Sequence, residues 1–275
     1  MVSVLILTFN EEENLPACLE SVRWSDDIVV FDSYSTDKTV EIARAAGARV
    51  IQRRFDNEKD HRTASFQVNF KHPWVYNPDA DEITTTDLQS EILSVTRDSS
   101  RPEVAYRARF KTMFLGQWLK YSSLYPTWVV RLFRPEKLTF GRTINLKYII
   151  DGPEGRLRNH FEHYTFNKGF NAWFDKHNRY SWHEASETLK TLAGGRFKWS
   201  ELLSSDAVVR RRALKELSFR MPFRPTLRFI YMYLLRRGFL DGRAGLTYCR
   251  LLAFYEYMIV VKINEIRRRE RGLAI

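Results

Sequence analysis

Two kinds of hydrophobic pattern alternate along the first fifty residues of this chain. Val2–Leu7, Asp27–Phe31 and Ala48–Gln52 are short apolar runs typical of buried parallel strands, and residues with helical spacing separate them. Neighbouring parallel strands need a crossover connection, which a helix supplies, so the series predicts an α/β fold with a doubly wound sheet. Ligands of such sheets bind beyond the carboxyl ends of the strands.

Polar side chains follow the apolar runs at the points where the predicted strands end. Thr8–Asn10 follow the first strand, Asp32 follows the second, and Asp79 and Asp81 follow the run Trp74–Tyr76. We expect these side chains to converge at one edge of the sheet. Two carboxylates one residue apart suit a hard cation such as Mg²⁺ or Mn²⁺, which neutralises a diphosphate. An isolated Asp-x-Asp triplet is more often a solvated turn, but its place in this series favours a metal site.

Several other side chains have both a binding and a structural interpretation. Asp32 suits hydrogen bonds from a ribose hydroxyl or a base N–H, or else it caps the following helix. Phe9 offers a flat face to a nucleobase or belongs to the core. Arg62 contacts a phosphate or a base carbonyl, or is solvated. His163 completes the coordination of a cation or is a structural histidine, and Asn10 is predicted to cap the first helix.

The rest of the chain changes from β-forming to helical patterns. Residues 104–165 contain four runs of β-forming residues, which are expected to complete the sheet with mixed strands. Phe166–Leu192 has helical spacing and ends before Gly194-Gly195, and the remainder is predicted to be helical. The predicted fold class is therefore α/β with a helical C-terminal extension.

Positive charge is concentrated in the C-terminal region. From Ala207 onward there are 16 Lys and Arg and five acidic residues, an excess equal to the formal net charge of +11 of the whole chain. The apolar stretches there, Phe229–Leu235 and Leu251–Val261, are shorter than the roughly 20 residues that span a bilayer. Aromatic residues flanked by arginine favour a helix in the plane of an anionic membrane surface. The alternatives are a packed helical subdomain and a nucleic-acid-binding surface; no nucleic-acid motif occurs, so nucleic acid is not expected as a partner.

Missing motifs argue against several classes of protein. The chain has no G-x-G-x-x-G, Walker A or H-E-x-x-H pattern, unlike dinucleotide dehydrogenases, P-loop NTPases and zinc proteases. Residues 8–14 contain no glycine, unlike the phosphate loop expected of a nucleotidyltransferase. Cys18 and Cys249 lack metal-binding spacing and are interpreted as reduced, and no basic segment typical of a signal peptide precedes the first strand. A cytoplasmic protein is expected.

Three of these motifs together resemble glycosyltransferase family 2, a family of inverting enzymes with the GT-A fold, which is a Rossmann-like doubly wound mixed sheet. They are residues 2–14, Asp32–Asp37 and Asp79–Glu82. Arg131–Arg134, together with His163-Tyr164 and Lys176–Tyr180, is similar to the bacterial branch that builds lipopolysaccharide cores and exopolysaccharides.

The resemblance implies a role for each motif residue. Asp79 and Asp81 are the metal-binding residues, with Mg²⁺ or Mn²⁺ as the cofactor. The residues implied in binding the donor nucleotide are Thr8, Phe9, Asn10, Glu12, Asp32 and Arg62. The donor is a nucleotide-sugar, commonly a UDP-sugar, and the acceptor is a lipid-linked saccharide or lipopolysaccharide.

The resemblance also implies a domain organisation and a location. A GT-A catalytic domain covers residues 1–200, with a nucleotide-binding half over about 1–100 and an acceptor half over about 101–200. The helical region 201–275 associates with an anionic membrane surface. We therefore expect the protein to lie in the cytoplasm, peripherally bound to the inner face of the bacterial plasma membrane.

The chain departs from this branch at the expected general base. Many members have a glutamate just after the Arg-Leu-Phe-Arg strand, whereas the corresponding segment here is Thr143–Leu146, and leucine cannot accept a proton. Asp151, Glu154 and Glu162 are the alternative base candidates. Two other interpretations stay open: a catalytically weakened relative that binds a sugar nucleotide or a partner, and a sugar nucleotidyltransferase.

Overall fold

The structure, a computed structural model, describes residues 1–141, 148–193 and 197–275, without the side chains of Ala207, Arg211, Arg212 and Lys215. Leu146 and the predicted helix break Gly194-Gly195 lie outside the described residues. The chain divides into two compact units, Met1–Trp118 with Leu124–Lys168, and Leu119–Ser123 with Gly169–Ile275. The boundary between the compact units, near residue 168, differs from the predicted boundary between the catalytic domain and the helical region at residue 200. The predicted functional division stays a prediction.

The first unit is built around a mixed sheet. Its strands are β1 (Ser3–Thr8), β2 (Ile28–Asp32), β3 (Arg49–Gln52), β4 (Val75–Tyr76), β5 (Glu82–Thr84), β6 (Ala105–Phe114), β7 (Gln117–Trp118), β8 (Trp128–Phe133), β9 (Leu138–Phe140), β10 (Tyr148–Ile150) and β11 (Glu154–His163). Among the described residues, the order is β3-β2-β1-β4-β8-β6-β11-β5, with β7 paired to β6 and a separate β9–β10 pair. The four strands β3, β2, β1 and β4 are parallel to one another. Strand β8 pairs antiparallel with both β4 and β6. The predicted α/β class with a mixed, doubly wound sheet is confirmed.

The helices of the first unit connect these strands. They are α1 (Leu15–Ser21), α2 (Thr39–Ala45), α3 (Glu58–Phe66) and α4 (Thr86–Arg97). The prediction that Asn10 caps the first helix is wrong, because α1 begins only at Leu15 and its N-cap is Asn14. Asn10 instead has a φ of +55°, a left-handed conformation that asparagine tolerates better than most residues. The loop after β1 is therefore longer than the sequence pattern indicated.

The core lies on both faces of the sheet. Val4 and Ile6 belong to a cluster on one face with Leu15 of α1. Leu5, between them in sequence, belongs to a second cluster on the other face with Phe66 of α3. Because side chains alternate along a strand, β1 is buried on both sides, which explains its continuous apolar sequence. The sheet edge that presents the polar loops is thus held by packing from two directions.

The second unit is helical in the residues that the structure describes. Its α-helices in the described ranges are α5 (Gly169–Ala193), α6 (Ala207–Arg220), α7 (Arg224–Ile230) and α8 (Gly242–Glu270). Helices α5 and α8 pack through Ala185, Ile259 and Ile263. The Nζ of Lys262 on α8 donates hydrogen bonds to Asn178 Oδ1 and Ser181 Oγ on α5, at 2.6 and 2.7 Å.

One helical segment of this unit, Gly238–Glu270, is long and apolar enough to cross a membrane by length and composition alone, and it is the only such segment in the described ranges. Only 22% of its most apolar window is buried. The sequence prediction that the apolar stretches are too short to cross a bilayer depends on uninterrupted apolar runs. Arg250 and Glu256 interrupt those runs. The continuous helical segment is long enough to cross a bilayer. Its length therefore does not exclude a transmembrane helix.

Candidate active site

The loop after β2 is held by the buried carboxylate of Asp32. Its Oδ1 accepts hydrogen bonds from Thr8 Oγ1 at 3.0 Å and Ser35 Oγ at 2.5 Å. Its Oδ2 accepts hydrogen bonds from Ser35 N at 2.9 Å and Gln52 Nε2 at 3.0 Å. Burial opposes the charged form, but these hydrogen bonds outweigh it and lower the pKa of Asp32. Asp32 and Thr8 therefore connect three strand ends below the surface of the site.

Asn10 joins the loop after β1 to the loop after β2. Its backbone N–H donates to Ser35 Oγ, and its Oδ1 accepts from Thr36 N, both at 2.8 Å. Glu12 makes a second connection, because its Oε2 accepts a hydrogen bond from Lys38 N at 3.0 Å. Phe9, between Thr8 and Asn10, is 58% exposed, so the structure places its ring at the surface and not in the core.

The acidic triplet lies beside these loops at the same edge of the sheet. Leu7 at the end of β1 pairs with Asp79 in an isolated parallel bridge. The backbone N–H of Asp79 donates to Glu82 Oε2 at 3.0 Å, which closes the turn between β4 and β5. The predicted convergence of the strand ends is therefore present, and the carboxylate of Glu82 helps to shape the turn.

A buried arginine, Arg131 of β8, neutralises two of these acids. Its Nη2 lies 2.5 Å from Asp79 Oδ2 and 2.6 Å from Glu82 Oε1. Burial opposes ionisation of the guanidinium, but the charges of Asp79 and Glu82 raise the pKa of Arg131 well above its usual value. Burial also raises the pKa of Glu82 to about 7, although the charge of Arg131 acts in the opposite direction. The triplet thus rests on a buried ion-pair network.

Asp81 and His163 form the second half of the site. His163 is in register with Glu82 across the β5–β11 pair, and its Nε2 lies 3.3 Å from Asp81 Oδ2. Burial lowers the pKa of His163, but the hydrogen bond and charge of Asp81 outweigh it and raise that pKa overall. Its Nδ1 is buried without a hydrogen-bond partner among the described residues. The structure thus brings His163 to Asp81, as the sequence indicated.

The three predicted metal-binding residues do not form a ready-made cage. Within the described part of the chain, no group of three or more His, Cys, Asp or Glu side chains is arranged to hold a metal ion. Asp79 is directed towards Arg131, and Arg62 Nη2 also lies 3.9 Å from its Oδ1. Asp81 and His163 instead contact each other at 3.3 Å.

A cleft of about 470 Å³ opens next to Asp79. Its lining residues are Glu58, Arg62, Asp79, Arg107, Trp128, Val129, Val130, Arg131 and Tyr148. Arg62 thus faces the cleft, and its Nη1 is buried without a hydrogen-bond partner in the described ranges. Three arginines and two acidic residues, Glu58 and Asp79, line the cleft, so its lining has an excess of one positive charge, which suits an anionic ligand.

The three candidate bases have different surroundings. Asp151 is 82% exposed and lies 3.0 Å from Lys137 Nζ. Glu154 accepts hydrogen bonds from Arg107 at 3.0 to 3.1 Å, in a bidentate ion pair. Glu162 accepts a hydrogen bond from the Tyr164 hydroxyl at 2.7 Å. Asp151 and Glu154 thus contact basic side chains, whereas Glu162 contacts a neutral hydroxyl group.

The family model for glycosyl transferase family 2 matches residues 3–217, which is more than half of the chain and includes every residue of the site. The chain belongs to this family. It is a glycosyltransferase of GT-A-like fold.

Relatives of this glycosyltransferase are found in several bacteria. An uncharacterised glycosyltransferase of Rickettsia typhi is 25% identical over 99% of this chain and 89% of the relative. A lipopolysaccharide core biosynthesis glycosyltransferase, LpsC, of Rhizobium meliloti is 26% identical over 96% of this chain and 92% of the relative. The similarity to both therefore extends beyond the catalytic motifs to nearly the full length.

Two solved structures that match this chain over most of its length are a mannosyltransferase and TarS. The mannosyltransferase PcManGT of Pyrobaculum calidifontis has a TM-score of 0.48 and 14% identity, covering 93% of this chain and 87% of that one. TarS of S. aureus has a TM-score of 0.41 and 13% identity, covering 98% and 91%. We assign the fold on the family match and the strand order, and the residue roles on the contacts within this glycosyltransferase.

Sequence reasoning missed the central position of Arg131 in this glycosyltransferase. The Arg-Leu-Phe-Arg segment carries a family resemblance in the sequence, which implies no site role for its first arginine. A signal was present, because Arg131 interrupts the apolar strand Trp128–Phe133, and a charge in a buried strand needs a partner. Trp128 and Tyr148, which line the cleft, had no comparable signal, since aromatic residues in strands usually pack in the core.

Proposed function

We propose that this protein is a metal-dependent, inverting glycosyltransferase that moves a sugar from a nucleotide-sugar donor, UDP-sugars being the first candidates, to a lipid-linked or lipopolysaccharide acceptor. The main supporting observation is the pairing of Asp81 with His163 at 3.3 Å, beside Asp79, at the carboxyl ends of the parallel strands. Arg62 and Arg131 flank this group and add the positive charge that a diphosphate requires.

The residues present fit a divalent cation. Mg²⁺ is usually bound by one or two carboxylates, while substrate phosphates and waters complete its coordination, so a cage made only of protein ligands is unnecessary. Asp81 and Asp79 provide the carboxylates, and Nε2 of His163 faces Asp81. When bound, Mg²⁺ or Mn²⁺ neutralises charge on the leaving nucleoside diphosphate.

The donor site divides into contact residues and supporting residues. We assign stacking on the base to Phe9, because its ring is exposed at the sheet edge. We assign a phosphate contact to Arg62, because it faces the cleft beside Asp79. The supporting residues, which hold the loops by hydrogen bonds, are Thr8, Asn10, Glu12 and Asp32.

Glu162 is the carboxylate best suited to be the general base. Inversion requires a base that removes the proton from the acceptor hydroxyl as that oxygen attacks the anomeric carbon opposite the diphosphate. Asp151 and Glu154 each form an ion pair with a basic side chain, which an acceptor hydroxyl would have to displace. Glu162 of β11 instead accepts a hydrogen bond from the neutral Tyr164 hydroxyl.

A thermal-shift experiment tests donor and metal together. UDP-, GDP- and dTDP-sugars are each added with Mn²⁺, with Mg²⁺ or with EDTA. We expect one nucleotide class to raise the melting temperature by several degrees when the cation is present, since a ligand at about 100 times its Kd stabilises the folded state by about 2.7 kcal/mol. The same nucleotide with EDTA serves as the control. An equal shift in EDTA would contradict metal dependence, and no shift with any nucleotide would contradict the donor assignment.

Association with a membrane surface is supported by the exposed apolar face of α8. Phe254, Tyr257 and Val261 are exposed large hydrophobic residues at helical spacing, so they form one stripe. Arg250, one turn before Phe254, is also exposed and suits an anionic lipid headgroup. The name of the Rhizobium meliloti relative supports a lipopolysaccharide-type acceptor.

The stripe can be tested by binding to lipid vesicles. The triple variant Phe254→Ser, Tyr257→Ser, Val261→Ser is expected to lose most of its cosedimentation with phosphatidylglycerol vesicles, because it removes the apolar groups that enter the interface. The control variant Phe55→Ser, Leu115→Ser removes two exposed hydrophobic residues of the first unit and is expected to bind as the original protein does. Equal binding by the triple variant would contradict the proposed surface.

A further inference from the structure

A row of alternating cations and aromatic rings crosses one face of the sheet in the first unit. We call it the cation–aromatic ladder. Its members are Lys111, Trp118, Tyr125, Arg109, Trp128 and Arg156. It lies on β6, β7, β8 and β11 and on the segment before β8, and none of these residues belongs to the acidic triplet or the donor loops.

Each step of the ladder is a direct contact. Lys111 Nζ lies 4.5 Å from the centre of the Trp118 ring, and Trp118 and Tyr125 meet edge to face at 5.1 Å. The guanidinium carbon of Arg109 lies 5.8 Å from the ring centres of both Tyr125 and Trp128. That of Arg156 lies 5.4 Å from the Trp128 ring. These cation–π contacts hold the long side chains against the rings.

The ladder faces away from the sheet's first core cluster. Ala108 and Phe110 of β6 pack into that cluster, and side chains alternate along a strand, so Arg107, Arg109 and Lys111 project to the opposite face. Arg109 is in register with Trp128 of β8 and with His160 of β11. Four residues of strand separate Lys111 from Arg107, a distance of roughly 13 Å. The surface is long enough for a short oligosaccharide.

Three of the cations have no acidic partner. Arg107 is neutralised by its bidentate pair with Glu154. In the ranges that the structure describes, Lys111, Arg109 and Arg156 form no ion pair with a carboxylate, and Nε of Arg109 is buried without a hydrogen-bond partner. Burial, followed by the charges of Lys111 and Arg109, lowers the pKa of the neighbouring His160. Glu162 lies in register with Lys111, so these three cations leave the face with an excess of positive charge.

The ladder is continuous with the reaction site. Trp128 also lines the cleft beside Asp79. Glu162, the proposed base, is in register with Lys111 in the β6–β11 pair, which puts both on the same face. A ligand lying along the ladder would therefore extend between the cleft and the proposed base. This is the position that an acceptor must occupy, given the proposed function.

We propose that the cation–aromatic ladder binds the acceptor, and that this acceptor is an anionic oligosaccharide whose phosphate or carboxylate groups contact the cations while its sugar rings lie on the aromatic side chains. The inference rests on the proposed function. Arginine binds both anions through paired hydrogen bonds, and a flat ring suits the apolar C–H face of a sugar. A single-stranded nucleic acid shares some of this chemistry, but continuity with the sugar-transfer site favours a saccharide.

Binding is measured by calorimetry on the full chain without donor. The probes are hexagalacturonate for carboxylate, phosphorylated maltohexaose for phosphate, neutral maltohexaose, and a uridine oligonucleotide. We expect one anionic hexasaccharide to bind about tenfold more tightly than maltohexaose, from one or two charge-assisted hydrogen bonds. The double variant Arg109→Gln, Arg156→Gln is expected to lose that preference and keep the affinity for maltohexaose. Comparison of the two anionic probes distinguishes carboxylate from phosphate.

A matched control removes two exposed arginines of the same unit, in the variant Arg23→Gln, Arg101→Gln, and is expected to bind as the original protein does. Equal affinity for anionic and neutral hexasaccharides, unchanged binding by the ladder variant, or tighter binding of the oligonucleotide would each overturn the proposal. Donor-induced thermal stabilisation is recorded for every variant. If the donor did not stabilise the original protein, this result would count against the proposed function. If the donor still stabilises the ladder variant, the donor site of that variant is intact.

Discussion

Replacement of Asp81 by alanine is expected to reduce sugar transfer by roughly 10³-fold, because it removes a group that stabilises charge on the leaving diphosphate. Asp81 is partly exposed and contacts His163, so its loss leaves the buried ion-pair network of Arg131 intact. The variant should therefore fold normally. Transfer and slow hydrolysis of the donor are both measured, with the cation that gives the larger thermal shift.

Two further variants make this result specific. Asp87→Ala removes an exposed acid in the first turn of α4 and is expected to leave both rates unchanged. Glu162→Gln is expected to reduce transfer by roughly 10²-fold, the usual contribution of a general base, while donor binding persists. Loss of cation-dependent donor binding in Asp81→Ala, but not in Glu162→Gln, would separate the two roles. Unchanged transfer in Asp81→Ala would contradict the assignment of the metal site.

The fold could be predicted because its main determinant is local. Apolar runs alternate with helical patterns over residues 2–52, so each pair of successive strands is joined by a helix. A helical crossover of this kind connects strands that are parallel in the same sheet. The lengths of loops are less predictable. Asn10 follows an apolar run and precedes three acidic residues, a pattern typical of a helix N-terminus, yet α1 begins at Leu15. The hydrogen bonds of Asn10 to Ser35 and Thr36 depend on a tertiary contact between two loops that no local pattern shows.

The site was predictable where it depends on strand ends and less so where it depends on pairing between distant strands. The positions of Asp32, Asp79 and Asp81 follow from the topology rule for α/β sheets. The contact between Asp81 and His163 requires β11 to pair with β5, a register that sequence periodicity does not determine. Arg131 likewise reaches Asp79 only because β8 pairs with β4. The segment Thr143–Leu146, which raised the question of the base, lies outside the described residues, so Glu162 stays a prediction.

Replacement of Arg131 by methionine is expected to lower the free energy of unfolding of the first unit by about 3–5 kcal/mol. The guanidinium is the cation that contacts both Asp79 and Glu82, and Glu82 is 1% exposed. Methionine fills similar space but leaves a buried carboxylate without its counter-charge, and removal of one partner of a buried pair costs more than the net stability of the pair. Urea unfolding, with hydrogen exchange of the β4 and β8 amides, measures the change in this unit.

A second substitution distinguishes loss of charge balance from loss of packing. In the double variant Arg131→Met, Glu82→Gln, the uncompensated carboxylate of Glu82 is also removed, so part of the lost stability should return. Arg101→Met breaks an exposed pair with Asp98 and is expected to leave the urea midpoint unchanged, because solvent screens such a pair. If Arg131→Met had the same urea midpoint of unfolding as the original protein, the ion-pair network would not stabilise the acidic triplet. The alignment of Asp79 and Asp81 at the sheet edge would then need another physical explanation.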